Sequence, residues 1–155
     1  MGFRKMLEGA TEVDDLVSVK FELFKKSLSS NHAPMVFTNL KEAPGHSAAI
    51  NILTRRRLCE YFDMHPGELI DVLAWAMENP SEPLMVSTKD APVMEHTMER
   101  VELNSLPIPW HYAEDGGRYQ SASIIIAEYG DQRNTSFHRQ LVKDRNHTTS
   151  RLVPR

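Results

Sequence analysis

Apolar residues in the first third of the chain recur at the spacing of an α-helix. Val13, Val17, Phe21, Phe24 and Leu28 are three or four residues apart, which places them on one buried face of a helix. The pattern predicts a helix over 12–28, which the polar stretch 29–32 ends. The segment 35–38 predicts a short buried strand, and we expect the helix to pack against its sheet.

Two further helices are predicted in the middle of the chain. Thr54 can cap a helix that runs to Phe62. The segment 65–79 predicts another, which the Asn-Pro step at 79–80 ends. The residues of this helix that we expect to face inward are Leu69, Val72, Leu73 and Ala76.

The pattern changes to β-structure after Leu84. Short strand-like pieces lie at 84–86, 93–94 and 101–103. Two longer strands are predicted over 121–129 and 134–142, joined by a turn at Gly130 and Asp131. The fold class is therefore α/β (α+β), with a mixed domain over 1–105 and a β-only unit over 106–155 that is barrel-like or a sandwich.

Composition excludes several classes of protein. The 155 residues suit one domain or slightly more. With 18 basic and 21 acidic residues, the net charge of −3 argues against a nucleic-acid binder. A single cysteine, Cys59, excludes an internal disulfide. The longest apolar run, 72–77, is too short to span a membrane, and the first residues lack the apolar run of a signal peptide. We therefore expect a cytoplasmic protein.

The segment 133–139 has the strongest chemical character, because it places polar and cationic groups in an otherwise apolar strand. A half-exposed edge strand would explain it. The alternative is a ligand-lining strand, in which Asn134 and Ser136 offer neutral oxygens and Arg139 a fork for a carboxylate or phosphate. Arg139 is an odd number of residues from Asn134, so a regular strand puts them on opposite faces. A single site that includes both requires a bulge or a strand end.

The order of these segments resembles the UbiD family of decarboxylases, which depend on prenylated flavin mononucleotide (prenylated FMN). Four blocks match in the family's order and cover most of the chain: 35–41 with 44–45 and 51–53, then 66–83, then 91–95 with 106–109 and 115–119, and finally 133–139. Many bacterial members have tyrosine where this chain has His138. That histidine and the segment 152–155 resemble archaeal members, including those assigned to anhydromevalonate phosphate.

The resemblance implies a carboxy-lyase that decarboxylates an α,β-unsaturated or aromatic acid. Anhydromevalonate phosphate and polyprenyl-hydroxybenzoate are the candidate substrates. Asn134 matches the ligand of a divalent cation, usually manganese, at the flavin phosphate, and K⁺ is a further candidate ion. Arg139 matches the catalytic arginine that faces the substrate carboxylate. The positions that match cofactor-binding residues are Ser136, Phe137, His138 and Arg139, and Asp115, Gly116 and Tyr119 border the same domain.

Family members are much longer than this chain, which resembles their first third: the N-terminal α/β domain and the opening strands of a flavin-binding split barrel. We therefore expect the remaining C-terminal part, from the same gene or a separate subunit, as a partner. A carboxylic acid substrate and homo-oligomer formation are also expected, and the chain alone should be inactive. Two alternatives are a non-catalytic flavin- or nucleotide-binding module and an assembly domain.

Overall fold

The structure, a computed structural model, describes residues 3–151 and confirms a mixed α/β fold with two small sheets. The segment 152–155, compared above with archaeal sequences, lies outside the described residues. The chain forms two compact units, one from the residues up to Glu8 with Ile52–Arg100, the other from Gly9–Asn51 with the residues from Val101 onward. Neither unit coincides with 1–105 or 106–155, and that division into domains stays a prediction.

The first sheet holds the main core of the second unit. It consists of β1 (Thr11–Val13), β2 (Met35–Phe37) and β3 (Ala48–Ile50), with β2 in the centre, parallel to β1 and antiparallel to β3. The predicted strand at 35–38 is thus confirmed as β2. The buried residues that pack around it are Val17, Val19, Leu23, Phe37, Leu40 and Ala43.

The predicted helix over 12–28 is wrong in its first half. Only α1 (Glu22–Ser29) is helical, while Glu12 and Val13 pair with Val36 and Phe37 in the sheet. Val17 forms an isolated parallel bridge to Leu40. A spacing of four residues between valines fits either a helix or buried extended chain, and β-branched side chains favour the extended form. Pairing of Val13 with Phe37 and of Val17 with Leu40 therefore made this segment extended.

Glu42 fastens the extended segment before α1 to the core. Its carboxylate accepts hydrogen bonds from the Ser18 hydroxyl at 2.6 Å and the Val19 backbone N–H at 2.9 Å. Burial raises the pKa of Glu42, but these hydrogen bonds outweigh it and hold the pKa below the ordinary 4.5. The charged form therefore stabilises the fold.

We expect Glu42→Gln to lower the free energy of unfolding by about 1–2 kcal/mol at neutral pH, because two charge-assisted hydrogen bonds are weakened. Since the pKa is lowered in the folded state, this stabilisation is present above pH 4.5 and is lost as the pH falls through the folded-state value. Denaturant unfolding at neutral and acidic pH checks this, with the exposed Glu12→Gln as the matched control. A constant gap between wild type and Glu42→Gln at every pH would contradict it.

The first unit contains two of the predicted helices. Thr54 caps α2 (Arg55–Phe62) by accepting a hydrogen bond from the Arg57 N–H, which confirms the predicted start. The Arg57 guanidinium donates to the carbonyls of Met6 at 2.6 Å and Glu8 at 2.9 Å. It thereby ties the N-terminal 3₁₀ turn (Phe3–Leu7) to α2.

Helix α3 (Leu69–Glu78) confirms the second predicted helix but not its buried face. Leu69 is its only buried residue, while Leu73 is 52% and Trp75 63% exposed. Helix α3 is apolar except at Asp71 and Glu78, and a helix of that kind normally lies inside a larger core.

The short strands expected at 84–86, 93–94 and 101–103 are wrong. No strand lies between 79 and 118, and the regular structure there is three 3₁₀ turns, Thr88–Asp90, Pro92–Met94 and Leu103–Ser105.

The second sheet is an antiparallel meander of β4 (Tyr119–Tyr129), β5 (Gln132–Val142) and β6 (Thr148–Ser150). The two long predicted strands are confirmed as β4 and β5, each within two residues. Gly130 takes a positive φ of 57° in the connecting turn, as the first central residue of a type II′ turn does. Among residues 3–151, none of the helices has the length and apolar character of a membrane span.

Candidate functional site

A cleft of about 540 Å³ opens on one face of the second sheet. Its walls come from the loop before β4 and from all three strands of the sheet. The residues that line it are His111, Glu114, Asp115, Gly116, Tyr119, Ser121, Arg139, Leu141, Thr149 and Arg151. The cleft therefore combines two guanidiniums and two carboxylates with the hydroxyl groups of serine, threonine and tyrosine.

The loop wall of the cleft is held by aromatic packing and by a close backbone approach. The Phe24 ring of α1 packs edge-on against His111, with ring centroids 5.0 Å apart, and against Tyr112 at 4.9 Å. Gly117 has a φ of 144°, and a Cβ there would lie 3.0 Å from Leu141 Cδ1. Only glycine fits both conditions without strain. Gly117 therefore allows the close approach of loop and strand.

Arg139 lies in the cleft, as its predicted role requires. Among residues 3–151 its guanidinium has no ion-pair or hydrogen-bond partner, whereas Arg133 on the same strand pairs with Glu128. An exposed guanidinium fork in a concave site can bind a carboxylate or phosphate through two parallel charge-assisted hydrogen bonds. The geometry is suited to an acidic ligand.

A β-bulge lies directly opposite Arg139, on the partner strand. The β4–β5 register jumps between Gln120 and Ser123, so that two residues of β4 face one of β5. Before the jump Tyr119 and Ser121 line the cleft, and beyond it the alternation in β4 is reversed. The sequence argument required a bulge between Asn134 and Arg139 if both were to line one site, but this bulge lies in β4 and leaves the alternation of β5 unchanged.

The other face of β5 carries the remaining polar candidates. Asn134, Ser136 and His138 alternate along it, opposite Ala127, Ile125 and Ser123 of β4. Ser136 and His138 are half-buried, and the Ser136 hydroxyl lies 2.8 Å from His138 Nε2. This row offers an amide, a hydroxyl and an imidazole to a ligand.

The structure therefore divides the predicted site residues between two faces. Arg139 shares its face with Phe137, which is 75% exposed, and with the cleft residues Asp115, Gly116 and Tyr119. Asn134 does not line the cleft and is not brought together with Arg139 by this chain. Whether each residue binds the ligand that the family resemblance implies stays a prediction.

The fit of a divalent cation to this chain rests on Asn134 alone. An amide oxygen is a suitable ligand for a hard cation. Within the described part of the chain, no group of three or more His, Cys, Asp or Glu side chains could hold a metal ion. A complete metal site at Asn134 would therefore require ligands from other polypeptide.

Comparison with known proteins identifies the family of the β-rich segment. Residues 84–155 match the model of the UbiD 3-octaprenyl-4-hydroxybenzoate carboxy-lyase Rift-related domain. Anhydromevalonate phosphate decarboxylase of Methanothermobacter thermautotrophicus is 33% identical, over 97% of this chain and 35% of its own length. Ferulic acid decarboxylase 1 of Saccharomyces cerevisiae is 27% identical, over 97% of this chain and 36% of its own.

A solved structure shares the fold over nearly the whole chain. It is an evolved dimeric form of the UbiD-class enzyme HmfF from Pelotomaculum thermopropionicum in complex with prFMN. The TM-score is 0.87 at 29% identity, and the match covers 98% of this chain and 38% of that one. The chain thus spans little more than a third of the length of each of these three proteins.

Proposed function

This chain belongs to the UbiD family, and from that premise we propose that it is the N-terminal part of a carboxy-lyase that decarboxylates an unsaturated or aromatic acid without oxidation. The observation that carries the proposal is Arg139, an exposed guanidinium in a cleft with no ion-pair partner among residues 3–151. Its role is to bind and orient the substrate carboxylate, because a fork of two N–H donors fixes the plane of that group.

The polar row on the other face of β5 is proposed to hold the cofactor. HmfF, which has the same fold, was solved with prFMN and with FMN. When bound, prenylated FMN supplies the electron sink that decarboxylation needs. Asn134 would hold the cation at the flavin phosphate, and Ser136 would donate a hydrogen bond to the cofactor. His138 would orient Ser136 through their 2.8 Å contact. Manganese is the proposed cation, and K⁺ is a further one.

The proposed substrate is anhydromevalonate phosphate or an aromatic acid such as polyprenyl-hydroxybenzoate. The first is supported by relatives named as its decarboxylase in two further archaea, Methanosarcina mazei and Archaeoglobus fulgidus. The second is supported by the name of the matched domain. Assay of both acids with the completed enzyme distinguishes them.

Completion by further polypeptide is part of the proposal. Four large apolar side chains of α3 are more than half exposed, namely Ile70, Leu73, Trp75 and Met77, the last of them 85% exposed. Exposed apolar surface of this extent marks an interface. We propose that the C-terminal part of the enzyme covers it, that this part supplies the missing metal ligands, and that the completed enzyme is a cytoplasmic homo-oligomer.

We expect the purified 155-residue chain to release no carbon dioxide from either candidate acid, even with prenylated FMN and Mn²⁺ added. Asn134 is the only metal ligand proposed in it, and such cations need several ligands. Adding the polypeptide that corresponds to the rest of the relatives should restore turnover, measured as substrate loss by chromatography. Turnover by the 155-residue chain alone would contradict the proposal of an incomplete enzyme.

A further inference from the structure

A second arginine lies beside Arg139 in the same cleft. Leu141 pairs with Thr149 and Gln140 with Ser150, so the next position of this register places Arg139 opposite Arg151. Both side chains line the cleft. Arg151 directly follows β6, and residues opposite on neighbouring antiparallel strands have Cβ atoms about 5 Å apart. This register therefore brings two cationic side chains to one wall of the cleft.

Such an arrangement has an electrostatic cost unless an anion neutralises it. Like charges directly opposite in a sheet destabilise the pairing. In the described part of the chain neither guanidinium forms an ion pair, although Glu114 and Asp115 line the same cleft. The Asp115 carboxylate instead accepts a hydrogen bond from the Tyr112 N–H at 3.2 Å. Within residues 3–151 the two guanidiniums thus form no direct ion pair, and they can bind an anionic ligand although two carboxylates share the cleft.

We propose that Arg151 binds a second anionic group of the substrate, next to the carboxylate at Arg139. This inference rests on the proposed function of Arg139 and narrows the substrate class to acids with two anionic groups, such as a phosphorylated acid. The hydroxyls of Ser121 and Thr149 line the cleft beside the two arginines and can donate to the same groups. The cleft volume of about 540 Å³ admits a small molecule of this kind.

The phosphate of a flavin has the same chemistry as the phosphate of a substrate. Asn134, the proposed holder of the flavin phosphate, does not line this cleft. Arg151 shares the cleft of Arg139, so we assign its anion to the substrate. The experiment must separate the two sources.

The test measures the binding of three probes to the chain by calorimetry: phosphonoacetate with two anionic groups, acetate with one, and FMN. We expect phosphonoacetate to bind about tenfold or more tightly than acetate, because a second charge-assisted contact is made. Arg151→Gln should abolish this difference. The matched control is Arg145→Gln in the exposed β5–β6 turn, which removes the same charge outside the cleft and should preserve it.

Nitrogen-15 NMR of the unaltered chain gives a measurement that needs no variant. Phosphonoacetate should shift the side-chain Nε signals of both Arg139 and Arg151, whereas acetate should shift mainly that of Arg139. The proposal is overturned if phosphonoacetate gains nothing over acetate, if Arg151→Gln keeps the gain, or if Arg151→Gln weakens only FMN. These experiments measure binding, so their results can be interpreted even if the completed enzyme fails to decarboxylate either acid. Such a failure would count against the proposed function alone.

Discussion

Arg139→Lys in the completed enzyme should lose turnover by about 10²-fold or more while it retains its flavin. Lysine keeps the positive charge but presents a point charge on a flexible stem, so it cannot hold a carboxylate through two parallel hydrogen bonds. Displacing the reacting group by about 1 Å can slow a reaction by about 10²-fold. The measurements are kcat/KM for carbon dioxide release and the visible absorbance of the bound flavin.

Arg133→Lys is the matched control for this experiment. Arg133 lies on the same strand and, by alternation, on the same face as Arg139, but it forms an exposed ion pair with Glu128. Exposed ion pairs contribute little to protein stability, so we expect the turnover of Arg133→Lys to be near normal. Normal turnover in Arg139→Lys would remove its substrate role, and flavin loss in that variant would place Arg139 in the cofactor site instead.

The location of the cleft was predictable in part from local pattern. The alternation in 121–129 and 134–142 and the Gly-Asp turn between them determine the hairpin from neighbouring residues alone. Arg139 could therefore be placed on a strand face. The bulge at Ser121 and Ala122 was not predictable, because it depends on how two strands align over many residues.

Arg151 was missed for the same reason. The neighbouring segment 152–155 was noted only for its resemblance to archaeal sequences, and Arg151 gains a proposed role only when the register of β5 and β6 is extended to place it opposite Arg139. The sequence alone would place two cations on neighbouring strands only if the length of the connecting loop and the strand register were already known. Here the loop is the Asp144–His147 turn, in which the Asp144 carboxylate accepts the N–H of His147 at 2.9 Å.

The errors in the first unit and near α1 have a different origin. Val13 and Val17 fit a helical stripe, but pairing with residues more than twenty positions away made the chain extended. The apolar pieces between Leu84 and Leu103 resemble strands, yet no strand partner exists for them among residues 3–151. Their exposure, 90% for Leu84, is consistent with the proposal that further polypeptide covers this surface in the completed enzyme.

The separation of Asn134 from Arg139 leads to a second prediction with a different outcome. The two residues lie on opposite faces of β5, so loss of one should leave the ligand of the other in place. In the completed enzyme we expect Asn134→Ala to lose the cation and, with it, the flavin. Loss of a residue that hydrogen-bonds a metal ligand weakens metal affinity about 10- to 100-fold. Loss of Asn134, which would bind the metal directly, should weaken the affinity at least as much.

The measurement for Asn134→Ala is the manganese and flavin content of the purified enzyme after desalting. Both should fall well below those of the wild-type enzyme, and excess Mn²⁺ during reconstitution should restore part of the flavin, because weakened binding is compensated by mass action. Asn146→Ala makes the same substitution in the exposed turn after β5 and should retain both. Full retention of metal and flavin in Asn134→Ala would remove Asn134 from the cofactor site. The polar row on that face would then be the ordinary edge of a half-exposed strand.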